Sequence, residues 1–196
     1  MRAGRRGATL GACPSGASPV VRARADASIR VRTEGDLDTC AELARAVRAV
    51  DGYPVYLPGE DFRTFLVTPR PIEAWVAADG DGVVGHVALH RRTSPEVTAL
   101  AAERLGEAPE RLAVVARLLV SPDRRREGIG GALLRTAAGR GRRAVLDVVP
   151  GLRAAVSLYA ACGWRPLGEV HVRLPDGTTV DEIVFAAPVD DGADGA

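Results

Sequence analysis

Apolar positions along this chain recur with two spacings, and the switches between them mark out its elements. Residues 29–32, Ile-Arg-Val-Arg, alternate with the period of a half-buried strand. From 37 to 50 the stripe Leu37, Cys40, Ala41, Ala44 and Val47 has helical spacing, and 33–36 offers its turn and N-cap. A Pro/Gly loop at 51–60 carries Tyr53 and Tyr56, a short helix is predicted over 61–67, and Pro69 and Pro71 punctuate the approach to the next strand. Strands at 73–78 and 83–90 flank Asp79-Gly80-Asp81-Gly82, strong hairpin chemistry. In the second of them His86, Ala88 and His90 share one face, Val87 and Leu89 the other.

A helix at 95–105 leads to the most apolar strand, 112–120, interrupted only by Arg117 and ended by Ser121-Pro122-Asp123. A basic, glycine-rich turn then opens a helix. After it come a buried strand at 143–149, a Pro150-Gly151 break, a helix at 152–162, and strands at 168–174 and 179–186 about Pro175-Asp176-Gly177. The order β-α-α-β-β-α-β-α-β-α-β-β predicts an α/β class, an α+β sandwich with a mixed, mostly antiparallel sheet of six to seven strands flanked by helices. One domain over 28–188 is expected. The segments 1–27 (Gly, Ala, Ser, Pro and five Arg) and 189–196 (acidic, Gly/Ala-rich) read as disordered. For 1–27 the expectation is a flexible extension, or a start codon placed upstream of the natural one. A transit peptide, a lipoprotein cleavage box at Leu10-Gly11-Ala12-Cys13 and a nucleic-acid arm fit it less well.

The chemistry concentrates at 112–141. Arg124, Arg125 and Arg126 precede Glu127, Gly128, Ile129, Gly130 and Gly131, so cations and bare amides gather at a helix start. The first amides of a helix lack intrahelical partners and its dipole adds positive potential. Glycines leave that backbone open, and together these features suit a phosphate or pyrophosphate.

Arg125-Arg126-Glu127-Gly128-Ile129-Gly130 resembles the R/Q-x-x-G-x-G/A signature of the GNAT superfamily of N-acetyltransferases. The preceding Leu118-Leu119-Val120-Ser121-Pro122 is similar to the end of that family's fourth strand, and 155–164, AVSLYAACGW, to its A-x-x-L-Y-x-x-x-G-F segment. The resemblance spans about 29–187. It implies that the fourth and fifth strands splay to admit acetyl-CoA or another acyl-CoA, with no metal required. The pyrophosphate would lie on the amides of 125–131, and the pantetheine arm would pair with Leu118, Leu119 and Val120 like an added strand. It further implies that Tyr159 is the general acid that protonates the departing thiolate. A bound, deprotonated primary amine would attack the thioester directly in a ternary complex.

Two positions depart from the family pattern. Leu152 stands where many members have Asn. Val114, Ala116 and Arg117 occupy the region where many have a Glu base, and none accepts a proton at neutral pH. The base candidates are therefore His86, His90, Glu60 and Asp61.

Composition narrows the alternatives. The net charge is +1, which argues against bulk attraction to nucleic acid or acidic membranes. All 26 basic residues are Arg, and Lys, Asn and Gln are absent, a pattern we attribute to codon bias in a GC-rich bacterium. Cys13, Cys40 and Cys162 are far apart and show no zinc spacing, so a reducing cytoplasm is the expected setting. No apolar run has the length of a membrane span. The expected partner is a small-molecule or peptide amine, and the protein is expected to be a monomer or homodimer. A degenerate acyl-CoA-binding sensor is the first rival, and a nucleic-acid module using Arg124 to Arg126 the second.

Overall fold

The computed structural model describes residues 27–189 except 81 and 92. Of the expected tails 1–27 and 189–196, residues 1–26 and 190–196 lie outside the described residues. Ala27, expected in the tail, is buried against the core. The strands are β1 Ser28–Val31, β2 Glu73–Asp79, β3 Gly82–His90, β4 Leu112–Val120, β5 Arg143–Val148, β6 Arg165–Arg173 and β7 Thr179–Ala186. The helices are α1 Leu37–Asp51, α2 Phe62–Val67, α3 Pro95–Leu105, α4 Ile129–Ala138 and α5 Arg153–Ala161. The expected α/β class and mixed sheet are thus present, with seven strands in the order β1-β2-β3-β4-β5-β7-β6. Among the described residues only β4 and β5 run parallel.

Strand alternation assigns the two faces. Trp75, Ala77, Val87, Leu89, Ala113 and Val115 meet Ile129, Leu133 and Leu134 of α4 on one face. On the other, Val76 meets α1 and α2, while Val114, Val145 and Val184 meet Val97 and Ala101 of α3. β6 starts three residues earlier than the sequence predicts. It includes Pro166 because β6 is a sheet edge and bulges between Pro166 and Gly168, where Pro is tolerated.

Two irregularities of β4 shape everything near the site. β4 pairs with β5 over only three positions, Leu112 to Arg143 through Val114 to Val145, and beyond them the strands part. Against β3, the register of β4 slips: His86 lies opposite Leu119 but Ala88 opposite Ala116. The extra residue is a β-bulge, with Arg117 at φ 55°. It also resets the alternation, which is how Val114 and Leu119, five residues apart, come to face the same side.

Arg117 is 7% exposed and fixes the bulge. Its guanidinium donates to the carbonyls of Leu66 at 3.1 Å and Thr68 at 2.6 Å and lies 5.1 Å from the centre of the Phe65 ring. Burial lowers its pKa to about 10, so it stays charged at neutral pH. The Arg117 carbonyl accepts from Nδ1 of His86 at 2.9 Å. A carbonyl can only accept, so Nδ1 carries the proton and Nε2 is left to accept from Arg32 at 3.0 Å. Replacing Arg117 by Met should strand the Thr68 carbonyl, leave the Leu66 carbonyl with Arg32 alone at 3.3 Å, and cost about 1–3 kcal/mol in urea unfolding. Lys, a point charge without the planar fork, should recover only part of that loss.

Candidate active site

Where β4 and β5 part, a cavity of about 930 Å³ opens between the two halves of the sheet. One end is the start of α4. Gly128 caps that helix at φ 84°, in the left-handed region that favours glycine, and a Cβ there would meet nothing within 4 Å. The amides of Ile129, Gly130 and Gly131, the first three of α4, have no carbonyl one turn earlier to bond, and all three residues line the cavity. Gly130 and Gly131 have a further reason to be glycine. A Cβ on Gly130 would come within 2.9 Å of Leu158, and one on Gly131 within 3.3 Å of the Cys162 sulfur. These two glycines let α4 and α5 approach.

The arginines divide their work. Arg124 is held by Asp79 and, through Nε at 2.9 Å, by Glu127. Arg125 forks onto Asp51 at the end of α1, with one bond of 3.1 Å. Arg126 is exposed at φ 67° and forms no ion pair among the described residues, so its charge faces the cavity uncompensated. The wall between this end and the middle of the cavity is the unpaired second half of β4, including Leu118 and Val120. Leu119 points to the α1 side and does not line it, nor does Glu127.

Four polar side chains meet at the middle. Tyr159 of α5 is 8% exposed and packs against Trp164 and Phe185, with ring centroids 6.3 and 5.9 Å away. Its hydroxyl bonds none of the described residues. Burial raises its pKa and keeps it protonated. Tyr53, from the loop after α1, has its hydroxyl against the backbone amide of Arg117 and is pushed up to about 12 by burial. Asp147 of β5 and Glu182 of β7 complete the group; their carboxyls bond one another. Burial raises both, Glu182 to about 8, with the Asp147 charge adding to the effect.

None of the sequence-derived base candidates lines this cavity. His86 is fully buried in the Arg117 clamp, its lone pair taken by Arg32 and its pKa lowered by burial to about 3. His90 is 4% exposed, unpartnered at both nitrogens and lowered by burial to about 4. Glu60 is exposed, and Asp61 caps α2 by accepting from the amides of Arg63 at 2.9 Å and Thr64 at 3.2 Å. Sequence reasoning missed the Asp147–Glu182 pair. Its signal was an acid inside the buried run Arg143–Val148.

The sequence profile of the Acetyltransferase (GNAT) family matches residues 41–164. The chain belongs to that family. As a GNAT member it is an acetyltransferase, with acetyl-CoA as co-substrate. Three solved structures share the GNAT fold with it. Arabidopsis thaliana NAA60 in complex with acetyl-CoA is 22% identical, with a TM-score of 0.58 over 82% of this chain and 97% of that one. The Escherichia coli ribosomal-protein-S18-alanine N-acetyltransferase is 17% identical, with 0.59 over 87% and 98%. The Sinorhizobium meliloti phosphinothricin acetyltransferase in complex with acetyl-CoA is 21% identical, with 0.57 over 88% and 93%. No curated protein matches the chain. Among the described residues no cluster could hold a metal ion, and no helix is long and apolar enough to cross a membrane.

Glu182 sets a pH dependence. A carboxyl raised in the folded state stabilises the fold while protonated, and that contribution is lost as pH climbs from its ordinary value through about 8. The melting temperature should therefore fall between about pH 5 and pH 8, and Glu182→Gln should flatten the decline.

Proposed function

We propose that this GNAT enzyme transfers the acetyl group of acetyl-CoA to a primary amine by direct attack within a ternary complex. One observation carries the reading: a single cavity joins the open start of α4, the unpaired edge of β4 and the Tyr159 hydroxyl. The amides of 129–131 and the Arg126 charge would hold the pyrophosphate, and the free edge at Leu118 and Val120 would pair with the pantetheine arm. Backbone amides of the β4 bulge would stabilise the developing oxyanion. Tyr159 would give its proton to the leaving sulfur. Holding both substrates in one cavity supplies much of the rate through proximity.

The deciding experiment incubates the protein with acetyl-CoA and a panel of primary amines, following thiol release and product mass. Acetylated product supports the reading. Acetyl-CoA binding without product from any amine would favour the acyl-CoA-binding rival.

Two variants probe the parts. Gly128→Asp puts a negative charge at the helix start, and Asp tolerates the left-handed backbone better than most residues. It should weaken CoA binding by at least about 2 kcal/mol in calorimetry while leaving a cooperative melt. Tyr159→Phe keeps the ring against Trp164 and Phe185. It should lower kcat about 10²–10⁴-fold with acetyl-CoA affinity little changed. A drop in melting temperature with unchanged kcat would make Tyr159 a packing residue only.

A further inference from the structure

Direct attack needs somewhere for the amine's proton to go, and β4 offers no carboxylate. The other side of the cleft does. Asp147 lies opposite Val184 in the β5–β7 pair, and Glu182 is two residues from Val184, so the two acids share a face. They share it with Val145 and Val184, on the α3 side of the sheet, whereas Tyr159 approaches from the α5 side. The parting of β4 and β5 is what lets them meet in one cavity.

The pair's surroundings are specific. Thr93 donates to Asp147 Oδ1 at 3.2 Å. The titratable groups that face the pair are Tyr53 and Tyr159, with Glu96 of α3 acting on Glu182. Among the described residues no arginine pairs with either acid. Arg117, on the same face, spends its fork on the Leu66 and Thr68 carbonyls. Two acids that bond one another share a proton and keep one negative charge. Among the described residues that charge has no cation paired with it. Apolar residues of β7 and just past the end of β6, Val180 and Leu174, line the same cavity.

We propose that Asp147 and Glu182 seat the acceptor's ammonium group and take its proton, and that the acceptor is a primary ammonium on an apolar stem with no anion beside its nitrogen. This rests on the acetyl-transfer reading. The acceptor binds as R–NH₃⁺ against the singly protonated pair and passes one proton to the open carboxylate oxygen. Its freed lone pair forms the N–C bond while the carbonyl π pair moves to oxygen. When that pair returns, the C–S bond breaks and sulfur keeps its electrons. Tyr159 protonates the sulfur and is restored by the second proton from nitrogen. The acid pair then releases its extra proton to solvent. The products are the amide, CoA thiol and one proton. An α-amino acid would bring its own carboxylate beside the pair and is disfavoured by repulsion.

Calorimetric titration tests this with two probes of equal stem: n-pentylammonium, and norleucine, which adds an α-carboxylate. Both are titrated with and without CoA, so the pair is judged even if the donor fails to bind. The wild type should bind n-pentylammonium at least about tenfold tighter than norleucine. Asp147→Asn and Glu182→Gln should reduce that preference to within about threefold, with acetyl-CoA affinity unchanged, which also shows that the variants fold. The infrared band of a protonated carboxyl should be present at neutral pH in the wild type and lost in Glu182→Gln. Equal binding of the probes to the wild type, or a preference that survives both substitutions, overturns the proposal. Loss of acetyl-CoA binding by the wild type itself would instead overturn the donor-site reading.

Discussion

The cleft exists because two parallel strands stop pairing after three residues, and the bulge beside that parting is held by a buried cation. A bulge alone could slip back into register, since shifting a strand by one residue exchanges its faces. Arg117 prevents this by tying the bulged backbone to the end of α2 through the Leu66 and Thr68 carbonyls. His86 and Arg32 extend the tie to β3 and to the residue after β1. Each member satisfies a buried polar group of another, so the network fixes one register rather than supplying large net stability.

This clamp also explains the fate of His86. In sequence, a lone histidine in a strand reads more readily as structure than as base, and His86 is nonetheless a base candidate there. Its Nδ1 is committed to the Arg117 carbonyl and its Nε2 to Arg32, so no nitrogen is left for a substrate. The acids at the middle of the cavity are instead Asp147 and Glu182, 35 positions apart in sequence and brought together by the β5–β7 register.

Local pattern was enough for most of the architecture. Periods of two and of three to four residues, with Gly and Pro stops, place the seven strands and five α-helices of the described residues. The start of α4 was legible because its amides and glycines are contiguous. The division of labour among Arg124, Arg125 and Arg126 was not, because Asp79 and Asp51, which engage the first two, lie far away in the chain. For the same reason the second role of Gly130 and Gly131 appears only when α5 is in place. Arg117 carried a visible signal, a lone charge in an apolar strand, but its meaning depends on a bulge that pattern alone does not reveal.

The three-residue seam between β4 and β5 also has a thermodynamic side. The two half-sheets it joins leave unsatisfied strand edges facing one another, and a ligand lodged between them binds the folded chain and has nothing to hold in the unfolded one. At a hundredfold excess over its Kd such a ligand adds about 2.7 kcal/mol to stability, a sizeable fraction of what a domain of this kind possesses. The abundance of whatever fills the seam thereby becomes a variable in the protein's own folding equilibrium, and with it in the protein's lifetime against proteolysis.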